Sequence, residues 1–64
     1  MLENQIDHAN YPKKVKRLTS ESLLFIIKDC REALQAMPDG IKAGYYADEI
    51  SYCAMELYKR RLTV

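Results

Sequence analysis

The tetrapeptide Met37-Pro38-Asp39-Gly40 separates two stretches of three- and four-residue apolar spacing, and this break constrains the fold more than any other feature of the sequence. Pro38 lacks an amide donor and disfavours helix at Met37, while Gly40 offers a turn with positive φ. Before the break, Leu23, Ile26, Ile27, Cys30, Ala33, Leu34 and Met37 recur at helical spacing; after it, Ala43, Tyr46, Ala47, Ile50, Cys53, Ala54 and Leu57 do the same. Thr19 is placed to cap the first helix, with Leu18 and Leu23 as a hydrophobic staple across the cap. Lys59, Arg60 and Arg61 end the second, where cations complement the helix dipole. The spacing therefore predicts an all-α fold: an antiparallel two-helix hairpin over residues 18–62, with helices at about 20–36 and 43–61.

Only four of the 64 residues are Gly or Pro, too few for a small β-barrel with a turn every 8 to 12 residues or so. Residues 1–17 carry thinly spread apolar side chains, and Tyr11 precedes Pro12, which biases it toward extended backbone. This segment is expected to be a flexible, polar and basic arm. A chain of 64 residues is marginal as an isolated fold. Leu24, Phe25, Met55, Tyr58 and Leu62 lie off the hairpin seam, and the level-matching of the two helices puts Phe25 opposite Ala54 with Met55 and Tyr58 nearby. Such a surface calls for a cover, and a homodimer packing two hairpins into a four-helix bundle is the expected one. A helix from another protein is the alternative cover.

No constellation for catalysis is legible. His8, the lone histidine, is expected to be a solvated residue with no Ser or Cys at a useful spacing. His8, Cys30 and Cys53 follow no close ligand-pair spacing, so no metal or other cofactor is expected. The two cysteines occupy core-facing positions offset by about one helical turn, consistent with inert buried thiols and no disulfide. They are too few for the framework of a secreted mini-domain, which makes the cytoplasm the default. The longest apolar run, Leu23 to Ile27, is far short of a membrane span. Asp29, Glu32, Asp48, Glu49 and Glu56 are read as solvated helix edges, with Lys28–Glu32 and Glu56–Arg60 as i,i+4 pairs.

Two features point to binding. Tyr45, Glu49, Tyr52 and Glu56 follow steps of four, three and four along one edge of the second helix, which is a core boundary or a partner surface rich in tyrosine. Charge is also unevenly distributed: net charge is only +1, yet seven of ten cations, Lys13, Lys14, Lys16, Arg17, Lys59, Arg60 and Arg61, fall at the open end of the hairpin. Residues 19–58 hold three cations against seven anions. A basic end can grip phosphates, but an acidic body would repel a long duplex, so a protein partner is favoured over nucleic acid.

From Leu18 to Arg61, in LTSESLLFIIKDCREALQAMPDG and GYYADEISYCAMEL, the chain resembles small uncharacterised helical-hairpin proteins of enterobacterial, lambda-like phages and prophages. The resemblance implies a bacterial cytoplasmic setting and an accessory role; the expected function is that of a non-enzymatic dimer that binds a host or phage protein through the Tyr45/Tyr52 edge or the Leu24/Phe25/Tyr58 patch, with a nucleic-acid-binding dimer using the basic end as the alternative. In architecture alone the chain is also similar to the dimeric hairpin that controls plasmid copy number by binding RNA loop pairs, although the acidic faces here depart from a basic RNA-binding surface.

Overall fold

A computed structural model describes residues 6–62 of the chain. Within them the protein has three helices, α1 (Tyr11–Arg17), α2 (Ser20–Ala36) and α3 (Ala43–Leu62), and no strand. The two long helices match the periodic segments. Thr19 caps α2 with extended backbone, its Oγ1 accepting from the Ser22 amide at 3.1 Å. Leu18 packs beside fully buried Leu23, as the staple requires.

The turn between α2 and α3 closes differently from the sequence expectation. No described residue has positive φ, so Gly40 is not needed for a left-handed conformation. Its amide donates to the Met37 carbonyl at 3.1 Å, and a Cβ on Gly40 would meet that oxygen at 3.2 Å and the Met37 Cβ at 3.3 Å. Close approach, rather than dihedral freedom, is what this position demands. Met37 itself, lying past the last residue of α2, leaves the apolar face and is exposed.

The larger difference is α1. The flexible arm expected over residues 1–17 is, from Ile6 onward, a turn and a helix packed on the hairpin. Asp7 sets the turn: its Oδ1 accepts from the amides of Ala9 and Asn10 at 3.0 and 3.2 Å, and its Oδ2 accepts from the Asn10 side chain at 2.7 Å. These hydrogen bonds, that from the Asn10 side chain foremost, hold the Asp7 carboxyl below its ordinary range. Pro12 falls in the first turn of α1, where its missing amide costs nothing. One face of the segment then delivers Ile6, Tyr11 and Val15 into a core shared with Leu23 of α2 and Cys53 of α3. Three of the six buried apolar side chains thus come from residues before α2, so the arm belongs to the core.

α3 packs along α2 and also against α1. The molecule measures 38 × 25 × 15 Å. α1 packs on the α2–α3 pair at Leu23 and Cys53, while Leu24, Phe25 and Tyr58 of that pair stay exposed.

Candidate functional site

The edge of α3 carrying Tyr45, Glu49, Tyr52 and Glu56 is where the three helices are joined. Glu49 reaches inward: its Oε2 accepts from the Tyr11 hydroxyl at 2.5 Å, and its Oε1 accepts from the Cys30 thiol at 3.5 Å. One carboxylate thereby links α1, α2 and α3, where the sequence suggested a solvated edge. The Tyr11 hydroxyl also lies 4.0 Å from the Cys53 sulfur. Tyr45 and Tyr52 both pack against the core cluster, and the Tyr52 and Tyr11 rings sit 5.7 Å apart in a tilted contact. Along this edge, a candidate partner surface in the sequence, Glu49 and Tyr52 meet the protein's own Tyr11 and His8.

His8 is exposed, as expected, yet it has a partner. Its Nδ1 lies 2.7 Å from the Tyr52 hydroxyl, and its Nε2 is 3.8 Å from the Asp48 carboxylate. The contact fastens the turn preceding α1 to the middle of α3.

Burial pushes the Cys30 thiol up to about 12, with the Glu49 charge adding to the effect. Burial also raises Cys53 and Tyr11, the latter with help from its hydrogen bond to Glu49. All three groups are held protonated, the opposite of what a nucleophilic thiolate needs. The two cysteines are free thiols, as expected from their offset. Because these folded-state values lie above the ordinary ones, the stability they contribute is fully present below about pH 9 and is lost as pH rises toward about 12. Thermal melts are expected to show a midpoint that is level near neutrality and falls above roughly pH 9, with a shallower fall in Cys30→Ala. A midpoint unchanged through roughly pH 11 would contradict the buried-thiol geometry.

At the other end of the bundle, Arg60 is a structural residue rather than a free cation. Its guanidinium donates to Glu56 Oε2 at 3.0 Å, to Ser20 Oγ at 2.9 Å, and to the backbone carbonyls of Val15 and Leu18 at 3.3 and 2.6 Å. The planar fork suits this work, satisfying carbonyls at the end of α1 while tying the connector to α3. The i,i+4 pair with Glu56 was legible in the sequence; the clamp was not. Arg60 accordingly leaves the set of phosphate-binding candidates.

The rest of that set is spread over more than one face. Lys14 lies over the Tyr11 ring, its Nζ 5.4 Å from the centroid. Lys16 and Lys59 flank a groove between α1 and α3 whose lining also includes Pro12, Val15, Tyr52, Met55 and Glu56. Arg61 instead borders the open side of the hairpin with Ser20, Leu24 and Leu57. Lys13 and Arg17 are exposed on α1.

The off-seam apolar residues are exposed: Leu24 58%, Phe25 69%, Met55 55% and Tyr58 62%. They do not form the single patch expected. Phe25 lies two residues, or about 200° of helix rotation, from fully buried Leu23, and Met55 stands in the same relation to Cys53, so each points away from the core on its own helix. Leu24 faces Leu57 across the open side of the hairpin, whereas Met55 and Tyr58 share a shallow depression with Ala54 and Lys59. The Leu62 side chain, also a candidate, lies outside the described part.

Among the described residues no helix is long and apolar enough to cross a membrane, and no group of three His, Cys, Asp or Glu side chains is placed to hold a metal ion. No family model, curated protein or solved structure matches the chain.

Proposed function

We propose that the protein is a small non-enzymatic interaction module that self-associates through the open face of its hairpin. The observation that carries this reading is an asymmetry of burial: Leu23 and Cys53, which meet the segment before α2, are fully buried, while Leu24 and Tyr58 remain more than half exposed. Two copies meeting on that face would form a four-helix bundle at the centre of the assembly, with each α1 outside. Phe25, which points away from the core on α2, remains available to a further protein. The phage or prophage accessory role in a bacterial cytoplasm, with a host or phage protein as partner, rests on the sequence resemblance and is part of the same proposal.

Sedimentation equilibrium tests it. Wild type is expected to be dimeric at micromolar concentration, and Leu24→Glu combined with Tyr58→Glu to dissociate at least ~30-fold more readily, the loss expected when buried anchors are replaced by charge. A wild-type protein that is a cooperatively folded monomer at tens of micromolar would sink the reading.

The second reading, a nucleic-acid-binding dimer, retains Lys13, Lys14, Lys16, Arg17, Lys59 and Arg61 but has lost Arg60 to the clamp. What favours it is the approach of Lys16 and Lys59 to one groove. Binding to phosphates would weaken steeply with added salt, whereas binding to an apolar surface would not.

A further inference from the structure

The groove between α1 and α3 combines an apolar lining with a cationic rim. Pro12 and Val15 supply one wall from α1, and Tyr52 and Met55 supply the other from α3. Lys16 and Lys59 stand on opposite helices at its edge. Glu56, the only acid in the lining, is paired with Arg60 at 3.0 Å and its side chain is 13% exposed, so the charge presented to solvent is that of the two lysines. The volume is about 200 Å³. This is below the roughly 300–1,000 Å³ of sites that enclose a small molecule. It is room for one large side chain. Met55 suits such a role because an unbranched thioether adapts to different shapes, and tyrosine offers contact area at low entropic cost.

We infer that this groove docks a short acidic peptide segment of a partner protein, with one aromatic or aliphatic side chain seated between Val15 and Met55 and flanking carboxylates paired to Lys16 and Lys59. The inference deepens the interaction-module reading and rests on it, and its groove shares Met55 and Lys59 with the depression beside Tyr58. Charge complementarity selects the occupant. A phosphate backbone would satisfy the lysines but leave the apolar lining without a partner, and a basic segment would be repelled by both rims. Tyr52 is held from behind, since its hydroxyl is engaged by His8 and its ring makes a tilted contact with Tyr11. Those contacts fix the wall of the groove before any ligand arrives, which lowers the entropic cost of docking.

Selection of a random peptide library on the immobilised full chain tests the inference. The enriched peptides are expected to share one large apolar residue between Asp or Glu residues. Fluorescence anisotropy of a labelled selected peptide should show about tenfold weaker binding to Lys16→Glu/Lys59→Glu and to Met55→Ser, with Lys16→Arg/Lys59→Arg close to wild type. Circular dichroism of each variant confirms that helix content is retained, and the charge-preserving arginine variant keeps the comparison interpretable if either disruptive variant folds poorly. Enrichment without an acidic signature, equal binding by the glutamate variant, or displacement of the peptide by a single-stranded oligonucleotide with steep salt dependence would each overturn it. Sedimentation of the same samples separates the two ideas: a dimer that selects no acidic peptide removes the groove proposal alone, and a monomer that selects one removes only self-association.

Discussion

A chain starting at Thr19 is expected to be largely unfolded at 25 °C, although it retains both long helices and the turn between them. The missing segment supplies Ile6, Tyr11 and Val15, all buried, and covers Leu23 and Cys53, which are fully buried in the intact protein. Burial of a large apolar side chain is worth about 1.5–3 kcal/mol, so three of them contribute about 5–9 kcal/mol. A typical domain has only about 5–15 kcal/mol in total, and one this small has less core to draw on. Far-UV circular dichroism of the truncated chain should show most of the helical signal lost and no cooperative melt. A truncated hairpin that melts within a few degrees of the intact protein would mean that α1 contributes little, returning the segment to the status of an arm.

Arg60→Ala is expected to cost about 3 kcal/mol, the scale for breaking a partly buried ion pair with its hydrogen bonds, and so to lower the melting temperature by about 12–24 °C. Four acceptors lose a hydrogen bond at once, Glu56, Ser20 and the carbonyls of Val15 and Leu18, and of the two carbonyls Val15 still accepts from the Leu18 amide. Glu56, only 13% exposed, is left with an uncompensated charge. Arg60→Lys should recover less than half of the loss, because a single ammonium cannot reach partners that the guanidinium fork addresses from two sides. Urea titration of the three proteins measures both quantities, and full recovery with lysine would show that charge, rather than the fork, is what the site requires.

The parts of this fold that were legible in the sequence are those decided locally. Thr19 caps α2 with its own side chain, Pro38 stops the helix before it, and the apolar spacing of α3 is unbroken from Ala43 to Leu57. The parts that were not legible depend on residues far apart in the chain. Glu49 looked like a solvated edge because its donors, Tyr11 and Cys30, are 38 and 19 positions away. Arg60 showed its neighbour Glu56 but not Val15 and Leu18, 45 and 42 positions distant.

A signal for α1 was nevertheless present. Tyr11, Val15 and Leu18 follow helical steps of four and three, Asp7 can set a turn ahead of them, and Pro12 sits where a helix accepts proline in its first turn. Reading Tyr11-Pro12 as extended gave the dipeptide rule more weight than the pattern around it. The contacts of Glu49 and Tyr52 with Tyr11 and His8 depend on that segment and are not visible in the pattern of α3 alone. The exposed Leu24, Phe25, Met55 and Tyr58 remain, and these the three helices do not account for among themselves.

Tyr11 meets Cys53 across 42 positions, and Val15 meets Arg60 across 45. During synthesis, α1 therefore leaves the ribosome with nothing to pack on, and it waits until nearly all of α3 has been translated and has cleared the exit tunnel. Nascent chains held at Cys53 or earlier should remain open to proteases, and protection should arrive in a single late step once Arg60 is outside.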